Sequence, residues 1–125
     1  MNMIVNPNML PKVRSDALMA ECANMPCELR LASFIGLPCE PQETVVGCHV
    51  EGSIGKGTST KVSDVFVAAG CRLCHDLLAG VDPRGMEIAR LYPSAFWHQV
   101  MRAQQATMSR WIMAGLVVIP DGKII

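Results

Sequence analysis

The chain has 125 residues and a mass of 13.6 kDa; half of it is apolar and 18% is charged. That composition excludes a disordered or highly charged tail protein and points to one domain with an ordinary hydrophobic core. Eleven Lys and Arg balance eleven Asp and Glu, so no global field draws the chain to nucleic acid, and a nucleic-acid binder must work with a local basic patch. No apolar run approaches the roughly 18 residues that span a bilayer, and Met1–Glu21 has neither the apolar segment nor the cleavage site of a secretory leader. A cytoplasmic protein with no membrane partner is expected.

In chain order, residues 1–15, with two prolines, three Asn and three Met, predict an irregular arm, and the rest of the chain, 16–125, a single domain. A short helix is expected over Asp16–Glu21. The Cys- and Pro-rich stretch Cys22–Pro41 reads as a loop or knuckle holding Cys22, Cys27 and Cys39. Thr44–Val50 is β-branched and predicts a strand, residues 52–63 form a Gly/Ser/Thr loop, and Val65–Ala69 predicts a second strand. A helix is expected from Cys71 to Ala79, with Gly80 just past its end. Ser94 is a candidate N-cap for a last helix in which Trp97, Val100/Met101, Gln104, Met108 and Trp111/Ile112 recur at helical spacing. Trp97 and Trp111 are therefore assigned to the core. His98, Arg102, Gln105 and Ser109 fall on the opposite, solvent face; Gly115 takes the C′ position, and Leu116–Ile119 with Lys123–Ile125 suggests a small hairpin.

Six cysteines are roughly 5% of the chain, below the 8–10% or so of a disulfide scaffold. In a reducing compartment they read better as metal ligands or reactive thiols. The strongest signal is Cys71-Arg-Leu-Cys74-His75. A C-x-x-C pair at a strand-to-helix junction lets two thiolates converge on one tetrahedral ion, and two of Cys22, Cys27, Cys39 and Cys48 can complete a structural zinc site. The competing reading makes the upstream cysteines small buried hydrophobes. The same five residues match the haem attachment signature C-x-x-C-H, but that chemistry needs export and leaves four cysteines unexplained, so no haem is expected. Gly55-Lys-Gly-Thr58 lacks the spacing of a phosphate-binding loop.

His49 closes the first predicted strand. Strand, His, loop, strand, helix, His is the layout of the ββα-metal (HNH) nuclease site, with the first His as general base. Glu43-Thr-Val-Val-Gly-Cys-His49, Gly55-Lys-Gly-Thr-Ser-Thr-Lys-Val-Ser-Asp64 and Ala69-Gly-Cys-Arg-Leu-Cys-His-Asp76 resemble prophage-encoded nucleases of the YbcO type. The likeness extends upstream to Cys27-Glu-Leu-Arg30 and downstream to Met108-Ser-Arg-Trp111 and Ala114-Gly-Leu116. It covers most of residues 12–118, with a poor match between Asp82 and Phe96. It implies an α+β fold with a ββα-metal core, a four-cysteine zinc site and a C-terminal helix, in a phage or prophage DNA endonuclease of the bacterial host's cytoplasm that acts in recombination.

Residue by residue, the resemblance implies Cys27, Cys39, Cys71 and Cys74 as zinc ligands, His49 as general base and His75 as the helix histidine. Asp64 falls near the middle position of HNH sites, two residues further from the first helix cysteine than usual. Cys48 stands where many HNH enzymes carry Asp as a ligand for the catalytic ion. Phosphodiester hydrolysis needs a base for water and a cation for the phosphate. His75 with Asp64 or Asp76 is the expected holder of Mg²⁺ or Mn²⁺, and Lys56, Lys61 and Arg72 the expected contacts to the DNA backbone. The alternative is a non-catalytic, zinc-stabilised module that binds DNA or a protein.

Overall fold

The computed structural model describes residues 10–51 and 62–125. Most of the predicted Gly/Ser/Thr loop, with Lys56 and Lys61, and the first nine residues of the predicted arm lie outside the described residues. The fold is mixed α+β. Helix α1 (Asp16–Glu21) is followed by three short 3-10 turns at Cys22–Asn24, Leu31–Ile35 and Gln42–Thr44. Strands β1 (Val46–His49) and β2 (Val67–Gly70) come next, then helices α2 (Arg72–Ala79), α3 (Pro83–Leu91) and α4 (Pro93–Met113).

The two strands pair antiparallel, with Val46 opposite Gly70 and His49 opposite Val67. β1 starts later than its β-branched run suggests because Gln42–Thr44 closes into a turn, the Val45 amide donating to the Gln42 carbonyl at 3.0 Å. β2 likewise starts at Val67, after a turn in which the Phe66 amide reaches the Ser63 carbonyl. Every residue of β2 is buried. Its small residues Ala68 and Ala69 let α4 lie close across it, and at Gly70 a Cβ would run into Leu29 and the Cys48 sulfur. The free edge of β2 is satisfied from outside the sheet. The Ala69 amide donates to Thr107 Oγ1 at 2.9 Å, and the Ala69 carbonyl accepts from the Glu28 and Leu29 amides. Both backbone groups of buried Ala69 are thereby paired.

The last helix starts earlier than an N-cap at Ser94 implies. Pro93 takes the first helical position and Ser94 lies inside the helix. Its buried stripe is Phe96, Val100, Ala103, Thr107 and Trp111, offset from the spacing that starts at Trp97. Trp111 is fully buried, its indole N–H donating to the Leu18 carbonyl at 3.0 Å, as expected for the core. Trp97 corrects that assignment: it is 46% exposed. Gly115, at φ +76°, ends α4 in a Schellman pair, Gly115 N–H to Ile112 and Leu116 N–H to Trp111. The tail holds a single turn, Gly122 N–H to Ile119, in place of the expected hairpin.

Helix α3 is an element that the sequence reading leaves out. Asp82 caps it, accepting from the Arg84 amide at 3.0 Å, and Pro83 opens it. It packs on α2 through Gly85. A Cβ built there would stand 1.9 Å from the Leu77 carbonyl oxygen, and backbone cannot yield as a side-chain tip can. Among the described residues no helix is long and apolar enough to cross a membrane. Gly85→Ala is expected to destabilise the fold by about 1–3 kcal/mol through overpacking, read as a lower Tm. An unchanged melting curve would mean that α2 and α3 do not meet at this distance.

Candidate functional site

Three stretches of chain bring four cysteines together. Cys71 is the N-cap residue of α2, Cys74 sits in its first turn, Cys27 lies in the loop after α1, and Cys39 in the loop before β1. Their sulfurs all fall within 4.8 Å of one another, and Cys39 Sγ stands 4.0 Å from Cys74 Sγ. Four thiolates about 2.3 Å from one tetrahedral ion would be about 3.8 Å apart. The set therefore fits, and the cluster can hold a metal ion such as zinc.

Backbone amides surround it. Arg30 N–H points at Cys27 Sγ at 3.5 Å, Ala32 N–H at Cys74 Sγ at 3.4 Å and Glu40 N–H at Cys71 Sγ at 3.3 Å. Amide dipoles aimed at sulfur favour the thiolate form, which is the form that binds metal. Arg30 adopts a left-handed conformation, φ +50°, just before the 3-10 turn Leu31–Ile35.

The titration pattern follows from crowding. The hydrogen bond from Cys74 holds Cys27 down to about 5, and the Cys74 thiol is pushed up by that same bond to Cys27. Burial, then the negative charge of Cys27, raises Cys39 to about 11. Four neighbouring sulfurs do not all ionise unless a cation joins them. Cys22 and Cys48 lie outside this cluster. Burial pushes Cys22 up to about 11 and drives Cys48 higher still; both act as core hydrophobes, Cys22 donating to the Leu18 carbonyl and Cys48 to those of Val46 and Gly70.

The histidines meet elsewhere. His49 and His75 line one cleft of about 410 Å³ with Glu51, Met86, Phe96 and Trp97. His49 comes from the end of β1 and His75 from α2, one residue after Cys74. His49 Nε2 lies 2.8 Å from Asp64 Oδ1. Asp64 is itself held by the chain before α1, since the Ser15 amide donates to Oδ2 at 2.7 Å and Arg14 Nη1 stands 3.7 Å from Oδ1. Burial alone would raise the Asp64 pKa. The His49 hydrogen bond, the Ser15 amide and the charges of His49 and Arg14 outweigh it and hold the carboxyl below its ordinary value. An ionised carboxylate only accepts, so His49 Nε2 carries the hydrogen and neutral His49 keeps its lone pair on Nδ1.

Other expected residues fall apart. Cys48 is buried while its neighbour His49 is half-exposed; strand alternation sends the thiol into the core, away from the cleft. Asp76 does not line the cleft, and Asp64 is spent on His49. Among the described residues, the four cysteines are the one group of three or more candidate ligand residues close enough to share an ion. Arg72 is exposed at the start of α2, its amide donating to Thr44 Oγ1. Sequence reasoning missed Arg14 and Ser15 as supports of Asp64, because no local signal marks a contact between residues so far apart in the chain. It also missed Trp97 as a cleft residue.

The chain matches no family model, no curated protein and no solved structure.

Replacing Cys71 or Cys74 by Ser is expected to abolish zinc retention and unfold the domain, since the free energy of metal binding becomes folding free energy in a small metal-stapled domain. A retained Tm in either variant would refute a structural metal. Thiols are mostly protonated at neutral pH in an unfolded, metal-free chain, and in the folded cluster burial and the neighbouring sulfurs hold Cys39 and Cys74 above the ordinary thiol value. Zinc must displace those protons, and its affinity should rise with pH and fall on acidification. Titration calorimetry in buffers of different ionisation enthalpy should show at least two protons released per ion, one from each of these thiols; release of none would contradict the assignment.

Proposed function

We propose that the chain is a metal-dependent DNA endonuclease of the ββα-metal (HNH) kind, resembling the YbcO-type prophage nucleases and stapled by one zinc ion on Cys27, Cys39, Cys71 and Cys74. The observation that carries this reading is the shared cleft of His49 and His75 with Asp64 hydrogen-bonded to His49. Two imidazoles from a strand end and the following helix, one of them oriented by a buried carboxylate, suit phosphodiester hydrolysis.

In this mechanism Asp64 accepts the Nε2 hydrogen and fixes the His49 tautomer. His49 Nδ1 then takes a proton from water as the water oxygen attacks phosphorus and the bond to the leaving oxygen breaks. His75 is the residue that would hold Mg²⁺ or Mn²⁺, which supplies positive charge to offset that building on the phosphate. Mg²⁺ and Mn²⁺ are hard ions that take oxygen ligands, so with Cys48 turned inward and Asp64 hydrogen-bonded to His49 the other donors to such an ion would have to be water and phosphate oxygens. Lys56, Lys61 and Arg72 serve as backbone contacts for the DNA. The alternative, a zinc-stabilised module without catalysis, draws support from one observation: the described residues offer no second cluster of ligands beside the cysteines.

His49→Ala should keep zinc, fold and DNA affinity while cutting the cleavage rate by roughly 10²–10⁴-fold, the range for losing a positioned base. Asp64→Asn should cause a smaller loss, and excess Mn²⁺ should partly rescue His75→Ala but not His49→Ala. Lys56→Ala with Lys61→Ala should weaken binding evenly across sequences and flatten its salt dependence. The deciding assay offers single-stranded, duplex and branched DNA to the wild-type protein with Mg²⁺ or Mn²⁺. If none is cut while DNA or a protein is bound with both histidines dispensable, the binding module replaces the enzyme.

A further inference from the structure

Trp97 is a large aromatic side chain left half in water, 46% exposed, on a helix that buries its other indole completely. Its place is specific: it lines the same cleft as His49 and His75. Its ring is also braced. Phe96, 2% exposed, packs against it edge to face, with centroids 4.9 Å apart and planes at 88°. An indole braced by a buried neighbour needs little further ordering on binding. Met86, exposed on α3, contributes a polarizable thioether to the same cleft.

We propose that the cleft admits an unpaired DNA nucleotide whose base stacks on the indole of Trp97 beside His49 and His75, which makes single-stranded or locally unpaired DNA the substrate class. This rests on the nuclease reading above. Three physical points carry it. A space of about 410 Å³ is of nucleotide size, at the small end of ligand cavities. In intact duplex the faces of the bases are covered by their neighbours, so an indole on the wall of a cleft can stack only on a base that has left the helix. Finally, the chain's formal charge is zero, so the local backbone contacts work without a global field behind them, and base stacking on an aromatic ring is a sequence-tolerant contact that adds to them. Further along α4, Met101, Gln104, Gln105 and Met108 border a shallow, uncharged depression.

The test measures binding by fluorescence anisotropy of labelled oligothymidylate and of a labelled duplex. The background is His49→Ala without added Mg²⁺ or Mn²⁺, so that cutting is suppressed. Adding Trp97→Ala is expected to weaken single-strand binding roughly 5- to 150-fold, the span for losing one stacked base. Trp97→Phe should restore most of it, and duplex binding and the salt slope should stay as they were. Zinc content and Tm, unchanged in both variants, show that the ring is not needed for the fold. Single strands should also quench the indole fluorescence of the Trp97-containing protein and leave that of the Trp97→Ala variant, with buried Trp111 alone, unaltered.

Equal single-strand affinity with and without the indole, or tighter binding of duplex, overturns the inference, as does an exposed ring that answers only to a protein partner. The two claims separate cleanly. If wild-type protein with Mn²⁺ cuts nothing but the Trp97 dependence of binding holds, the nuclease reading fails and the stacking site stands. If wild-type protein cuts single strand and duplex alike and Trp97→Ala changes neither rate, the nuclease reading stands and the stacking site falls.

Discussion

The convergence of four sulfurs from three stretches of chain is the constraint on which the remaining structure depends. Between α1 and β1 the backbone has no regular element longer than a five-residue 3-10 turn, and such a segment has little cooperative structure of its own. Cys27 and Cys39 of this segment meet the N-terminal turn of α2, where an ion such as zinc would tie them. The amides of Arg30, Ala32 and Glu40 end on cluster sulfurs, so these segments find hydrogen-bond partners at the cluster instead of in a sheet or helix. The hydrophobic core then closes around it: Leu29, Leu31 and Ala32 follow Cys27 into the interior, and the Glu28 and Leu29 amides complete the edge of β2.

Helix α2 links this staple to the cleft. It carries Cys71 and Cys74 at its start, His75 in the next position and Leu77 against Gly85 of α3. A shift of α2 along its axis would move a cluster sulfur and the His75 imidazole together. β1 is pinned by pairing with β2, and His49 at its end is aligned by Asp64. Asp64 depends in turn on Ser15, the residue that caps α1 by accepting the Leu18 amide at 3.2 Å. The cleft is thus built from one element fixed by the cysteine cluster and one fixed by a hydrogen-bond chain that reaches back to the first helix. The nuclease reading needs both; a binding module would need the first alone.

Much of this was legible in the residues themselves. The two strands, α1, α2 and the long last helix announce themselves by β-branched runs, capping residues and helical spacing. The C-x-x-C pair at the strand-to-helix junction marks half of the cluster, and resemblance to a known family supplies the choice of Cys27 and Cys39 over Cys22 and Cys48. What failed did so for physical reasons. Trp97 and Val100 are both compatible with an apolar stripe, and only the packing of α4 on β2 decides that Phe96, Ala103 and Thr107 turn inward. Asp82-Pro83 is a standard helix opening, yet α3 is short and carries three charged side chains, Arg84, Glu87 and Arg90, which hide its apolar face. The β-branched and apolar tail reads as a hairpin, but strands need a partner, and the structure gives the tail only a turn. Contacts such as Ser15 to Asp64 join residues far apart in sequence and leave no pattern to read.

The most direct test of the metal staple is zinc X-ray absorption on protein purified without added metal, combined with a metal count per chain. The expected result is one zinc per chain with four sulfur neighbours at about 2.3 Å and no nitrogen or oxygen in the inner shell. A chain that folds cooperatively with no bound metal, or whose zinc shell contains imidazole in place of a cysteine sulfur, would contradict it.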